Sequence, residues 1–278
     1  MATMRDIKAR IGSIRSIQRI TRAMKLIATA KLQKAEKAVK SFRAYAETEE
    51  EVMKNLANRV EREGSPMFTE REVKRRGVLI ITSDRGLCGA FNTKIIQEAE
   101  LFLNERDRLI AVGKKGERHF SRRNFEIKSF SMPDPVTPSI VNALTWEVIS
   151  SYLEASFDEA YIIYTKFKAI MKQEVVVKRL LPIPSEEKRD FPDYIYEPNR
   201  SVILERLIPH YINTQIFHAL LESTASEHAA RMVAMDNATK NAEDMVRELI
   251  LAFNKARQAS ITKELIEMTT AIEAIRGI

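Results

Sequence analysis

All nine prolines of this 278-residue chain, and six of its eight glycines, fall between Gly64 and Pro209. Residues 13–63 and 210–276 contain neither. Proline removes a backbone donor and clashes with the preceding turn, and glycine costs conformational entropy, so both interrupt helices. The flanks can therefore run as two very long helices, with the breakers crowded into the segment between them. At about 1.5 Å per residue the C-terminal run alone would reach roughly 100 Å. A helix of that length cannot be buried in a domain of this size. It predicts a shaft made from both chain ends, with a compact part inserted between them.

The periodicity of the flanks fits that expectation. In the first, Ile7, Ile11, Ile14, Ile17, Ile20, Met24 and Ile27 recur at steps of three and four, continued by Leu32, Ala35, Val39, Phe42, Val52, Leu56 and Val60. So narrow a stripe suits a helix with one main partner helix. In the last, Leu221, Ala225, His228, Met232, Met235, Ala242, Val246, Leu249, Phe253, Ala256 and Ile261 form the corresponding stripe, continued by Leu265, Met268, Ile272 and Ile275. Many of these seam residues are small or are methionine rather than Leu, Ile and Val. Small residues let backbones approach and methionine adapts to uneven surfaces, which predicts a slender coiled coil stabilised in part by an enclosing partner.

The middle changes period. Gly77–Thr82 reads as a buried strand ended by a turn at Ser83–Gly86, then a helix over 92–106, a strand over 108–113 and a helix near 117–123. A strand over 125–130, a helix over 139–154 and a hairpin of 159–167 with 172–181 complete the pattern. Strand–helix alternation implies a small, largely parallel, Rossmann-like sheet. The proline-rich stretch 182–200 reads as an irregular surface loop. The predicted fold class is thus α/β plus a long antiparallel coiled coil: an N-terminal shaft helix (1–62), an α/β domain (63–200) and a C-terminal shaft helix (201–278). Pro209 is compatible with a kink or a second helix start.

Charge narrows the choice of partner. Residues 1–43 carry twelve Lys or Arg against only Asp6 and Glu36, an excess larger than the +7 of the whole chain. Such a field attracts a polyanion or an acidic protein surface. A basic coiled coil that binds nucleic acid is therefore one reading, although the first 41 residues offer no aromatic for stacking on bases. No apolar run is long enough to span a membrane and no secretory signal core opens the chain. A single cysteine, Cys88, forbids an internal disulfide and a cysteine-based zinc cluster.

Catalytic constellations are not evident. Gly86-Leu-Cys-Gly89 sits where phosphate loops sit, but has neither the P-loop nor the dinucleotide spacing, so it reads as a tight turn whose glycines take positive φ. His119, His210, His218 and His228 lack ligand grouping. Arg85 could lower the Cys88 pKa, but no histidine is near in sequence to act as its base. Tyr194 and Tyr196, two residues apart in a proline-rich loop beside Glu197, would face one way if extended and suggest a contact surface.

Four segments carry a resemblance. Arg5–Ile14 continuing through Ile17–Lys25, then Ser83–Gly89, Ser226–Ala238 and Asn254–Glu267, resemble the gamma subunit of F-type ATP synthases, in order and across essentially the whole chain. The resemblance implies a rotor shaft inside a ring of alternating alpha and beta subunits, standing with the epsilon subunit on a membrane ring of c subunits. It implies no cofactor, no nucleic acid, no catalysis by this chain, and a peripheral position on the cytoplasmic face of a bacterial membrane. It further implies contact of Arg22, Met24, Lys25, Arg231 and the region of Cys88 with beta. Gln258, Thr262 and Glu264 would contact the upper catch of the hexamer, and Tyr194, Tyr196 and Glu197 would seat on the c ring. Glu273 and Arg276 depart from the usual family tip, and the cysteine-bearing insert of chloroplast relatives is absent.

Overall fold

The computed structural model describes residues 3–57, 66–123, 125–184 and 200–276. Helix α1 spans Met4–Ala57 and helix α5 spans Arg200–Arg276, 77 residues long and continuous through Pro209. Between them come β1 (Arg76–Ile81), α2 (Phe91–Phe102), β2 (Arg108–Val112), α3 (Lys114–Phe120), a 3-10 turn at Ser121–Arg123, β3 (Glu126–Phe130), α4 (Pro138–Leu153), β4 (Glu159–Ala169) and β5 (Lys172–Leu181). Helix α1 opens on a reciprocal cap. The Thr3 amide donates to Asp6 Oδ2 at 3.0 Å and the Asp6 amide donates to Thr3 Oγ1 at 3.3 Å, so two otherwise orphaned donors are satisfied.

The chain divides into two compact units, residues 28–231 and residues 1–27 with 232–278. In the first, the five strands lie in the order β3-β2-β1-β4-β5. The pairs β1–β2, β2–β3 and β1–β4 are parallel, and β4–β5 is an antiparallel hairpin. Both faces of the sheet are covered, which is why Val78-Leu79-Ile80-Ile81 is an unbroken apolar run. Leu79, Ile81, Ile110, Val112 and Ile162 face one core with α4 and parts of α1 and α5, including Met53, Leu144, Val148, Tyr211 and Ile216. Val78, Ile80, Leu109 and Ile163 face the other with Phe91, Ile95 and Ala99 of α2 and Phe120 of α3.

The turn after β1 has a different basis from the one expected. Leu87 (φ 63°) and Gly89 (φ 56°) take the left-handed conformation, and Gly86 does not. Asp84 holds this end of the sheet together. Its Oδ1 accepts the Lys114 amide at 3.0 Å and the Met132 amide at 3.2 Å, joining the turn to the starts of the next two connections.

In the second unit, parts of α1 and α5 pair antiparallel. Gln18 Nε2 donates to Glu243 at 2.9 Å, Thr239 Oγ1 to Thr21 Oγ1 at 2.8 Å, and Lys25 Nζ to Asp236 at 2.6 Å. As the α1 number rises through 18, 21 and 25, the α5 number falls through 243, 239 and 236, which fixes direction and register together.

These rungs correct the predicted N-terminal seam. Inward positions run Ile7, Ile11, Ile14, Gln18, Thr21 and Lys25, all buried or half-buried, in a strict heptad alternation. Ile17, Ile20 and Ile27, which apolar spacing assigns to the stripe, are 52%, 58% and 59% exposed. A seam that two helices keep by supercoiling around one another has a mean period near 3.5. Following every apolar residue by steps of three rotates off that line. On α5 the half-buried positions Val246, Leu249, Phe253 and Ala256 lead to Ser260, and Ile261 is exposed.

Candidate functional site

The residues expected to meet partners fall into both units. Arg22 is exposed, Met24 is half-buried, and Lys25 forms the rung to Asp236. Gln258, Thr262 and Glu264 are all exposed on α5, where Ser260 Oγ donates to Glu264 at 3.3 Å. Around them lies a run of exposed apolar side chains: Leu251, Ile261, Leu265, Ile266, Met268 and Ile272. Tyr194, Tyr196 and Glu197 lie outside the described residues, as do the side chains of Glu273 and Arg276.

Arg231 and the region of Cys88 come together in the sheet-bearing unit. Arg231 is largely buried. Its Nη2 lies 2.5 Å from Glu227 Oε1 and donates to the Gly86 carbonyl at 3.4 Å, and its Nη1 lies 3.3 Å from His228 Nδ1. Burial pushes the Glu227 carboxyl up despite the guanidinium beside it. That guanidinium donates to Nδ1 of a neutral imidazole, so the His228 proton sits on Nε2, 3.7 Å from Asp134 Oδ2. Burial in turn pushes the His228 pKa down to about 4, and the nearby Arg231 and Lys31 add to the effect against the pull of Asp134. Asp134 is held by Lys31 at 2.5 Å.

Cys88 is not activated. It is 2% exposed, and burial pushes its thiol above the usual range. What it meets of Arg85 is the carbonyl, at 3.9 Å, while Asn92 Nδ2 donates to the sulfur at 3.2 Å. The expectation of an Arg85-lowered thiol therefore fails: the guanidinium is not among its partners, and burial dominates.

One feature of this unit carries no sequence signal. Strand β1 pairs with β4 only as far as Ile163, but β4 continues to Ala169. The overhanging edge would expose unpaired amides and carbonyls. Side chains from the two long helices satisfy them instead. Thr165 N donates to Ser223 Oγ at 3.2 Å, and Ser226 Oγ donates to Thr165 O at 3.1 Å. Phe167 N donates to Glu222 Oε2 at 2.7 Å, and Arg43 Nη2 donates to Phe167 O at 2.9 Å.

Four of the twelve basic residues of the N-terminal field are also engaged internally. Lys25, Lys31, Lys40 and Arg43 pair with Asp236, Asp134, Glu36 and Glu222 respectively. That weakens the case for a nucleic-acid face, which needs free cations for phosphates.

A family profile described as ATP synthase matches residues 3–275. The ATP synthase gamma chain of Moorella thermoacetica is 46% identical over 99% of this chain and all of its own length. This chain belongs to the ATP synthase gamma chain family. The gamma chain of Geobacter sp. strain M21 is 40% identical, with full coverage of both chains. Among solved structures, the central stalk and c ring of the Tetrahymena thermophila mitochondrial ATP synthase gives a TM-score of 0.62 at 26% identity, covering 79% of this chain and 99% of that one. The rotor of the Euglena gracilis mitochondrial enzyme shares the fold, with a TM-score of 0.70 at 17% identity, covering 93% and 98%. Membership makes the chain a subunit of an ATP synthase, and the nucleic-acid reading finds no support among these relatives. Among the described residues no helix is long and apolar enough to cross a membrane.

Proposed function

We propose that this gamma-family chain is the rotating central stalk of its ATP synthase. Ion-driven rotation of a c ring turns the chain, and its asymmetric surface drives the beta subunits through successive nucleotide affinities; ATP hydrolysis runs the same motion backwards. The chain itself performs no chemistry. Its contacts with the surrounding subunits differ at each angle of rotation. The observation that carries this reading is the register-locked helix pair, whose polar rungs face inward while Ile17, Ile20 and Ile27 face outward. Exposed isoleucines beside a polar seam suit a shaft enclosed by other subunits.

In this proposal the working parts follow the elements: residues 1–62 and 201–278 form the shaft and 63–200 the foot. Arg22, Met24, Lys25, Arg231 and the Cys88 turn meet the beta subunits, with Arg231 presented by Glu227 and His228 rather than free. Gln258, Thr262 and Glu264 meet the upper hexamer. Tyr194, Tyr196 and Glu197 seat the foot on the c ring, beside epsilon. The complex stands at the cytoplasmic face of the membrane, which this chain reaches only through the c ring.

Co-expression with alpha and beta tests the proposal. The chain co-purifies with a hexameric ATPase on this account. Failure to assemble, combined with tight binding to duplex DNA at physiological salt, would favour the nucleic-acid alternative.

A further inference from the structure

A rotor must pass torque between its sheet-bearing foot and its two long helices, and the overhang of β4 is where these are most directionally joined. Apolar packing covers the sheet faces, but the hydrophobic effect that drives it is non-directional. Charge-assisted and bidentate hydrogen bonds fix geometry. Glu222 is fully buried on α5 and is the hub of such a set. Arg43 Nε and Nη2 of α1 reach its Oε1 at 3.0 and 2.7 Å, its Oε2 takes the Phe167 amide of β4, and His218 Nε2 lies 3.1 Å from Oε1. Burial alone would push this carboxyl up, yet His218, Arg43 and the Phe167 amide outweigh it and hold it ionised below the usual range. A second tie lies on the partner strand of the hairpin. Lys178 of β5 bonds Glu50 of α1 at 2.5 Å and Gln215 of α5 at 2.8 Å.

We propose that Glu222 and Arg43 are positioning residues that make the β4–β5 overhang the torsional joint of the rotor, locking both long helices to the sheet. The inference rests on the rotor reading above. The overhang suits the task because, on the side that β1 leaves uncovered, its backbone groups have no strand partner and are taken by helix side chains. Thr165 and Phe167 each give both their N–H and their C=O to the helices. Twisting the helices against the sheet would strain all four bonds at once.

The test uses the assembled, membrane-reconstituted enzyme with a probe on a cysteine introduced at Gln97, exposed on α2. The parent establishes that the probe rotates on ATP; a parent that does not rotate defeats the rotor reading itself, separately from the joint. Glu222→Gln keeps the side-chain volume but removes the charge. Its enzyme is expected to hydrolyse ATP in the detached catalytic sector as the parent does, to show a wider angular distribution of the probe while the enzyme is stalled, and to pump fewer ions per ATP. Arg43→Lys, which keeps the charge but loses the fork, should fall between the two. Should Glu222→Gln fail to assemble, the Ser223→Ala/Ser226→Ala pair removes the Thr165 bonds alone and should still widen the distribution. Unchanged angular width and pumping in an assembled variant would overturn the proposal.

Discussion

Replacing Thr21 and Thr239 together by cysteine tests whether α1 and α5 move as one body. Their hydroxyl oxygens are 2.8 Å apart across the seam, so thiols at these two positions would face one another, the arrangement a disulfide needs. The Thr21 hydroxyl donates to the Gln18 carbonyl and the Thr239 hydroxyl shares its proton between Thr21 and the Met235 carbonyl, so at about 1 kcal/mol per bond the two replacements together cost roughly 2–3 kcal/mol. The bridge would close a loop of roughly 220 residues, for which chain entropy gives a stabilisation of about 5 kcal/mol. Oxidised protein should therefore unfold later than reduced protein in thermal denaturation, with crosslinking read as a mobility shift on non-reducing gels. Cys88, buried with a raised pKa, should not compete for the new thiols. In the assembled enzyme the crosslink should leave ATP turnover and rotation unchanged. Two results would refute the reasoning: no crosslink under oxidation that modifies either thiol alone, or a crosslink that stops rotation.

Further expectations concern the pH response, the outer face and the sheet. The His228 pKa is depressed to about 4 by burial, so the unfolded chain takes up a proton that the folded chain refuses as pH falls from about 6.5 to 4. This group's contribution of about 3 kcal/mol is present above pH 6.5 and lost across that window; His228→Gln should flatten the acid limb of a stability–pH curve followed by circular dichroism, and an unaltered limb would contradict it. Changing Ile17 and Ile20 to serine should shift the stability of the isolated chain by no more than about 0.5 kcal/mol. Each buried isoleucine is worth about 1.5–3 kcal/mol, so assembly with alpha and beta should weaken tenfold or more in a titration, and equal affinity would count against an enclosed shaft. Gly113 has φ 95° and a Cβ there would sit 2.1 Å from the Thr82 carbonyl oxygen. Gly113→Ala should therefore cost about 3 kcal/mol or more, seen as a lowered Tm, and an unmoved Tm would show that the turn can rearrange.

The parts of this fold that obey local rules were legible in the sequence. Breaker-free flanks gave the long helices, and β-branched runs such as Val78–Ile81 gave the strands to within a residue or two. What escaped was non-local. The side-chain chemistry of Gln18, Thr21 and Lys25 does not mark them as inward-facing until Glu243, Thr239 and Asp236 arrive from the far end of the chain, so apolar spacing favoured Ile17 and Ile20 instead. A strict heptad count through Ile14, Thr21 and Ala28 would have found the true line, at the expense of accepting polar residues in a seam. The sealed edge at Thr165 and Phe167 depends on β1 ending before β4 does and on α5 crossing that gap. Neither length is encoded by the residues that make the bonds. Likewise, Arg85 beside Cys88 in sequence said nothing of burial, which sets the thiol's behaviour.

The central claim is that this chain turns as a unit inside its complex. Single-molecule observation of a probe on α2, with the chain assembled with alpha and beta and supplied with ATP, tests it most directly. Unidirectional rotation that stops when nucleotide is removed is the predicted result. Sustained ATP hydrolysis with a stationary probe would contradict it.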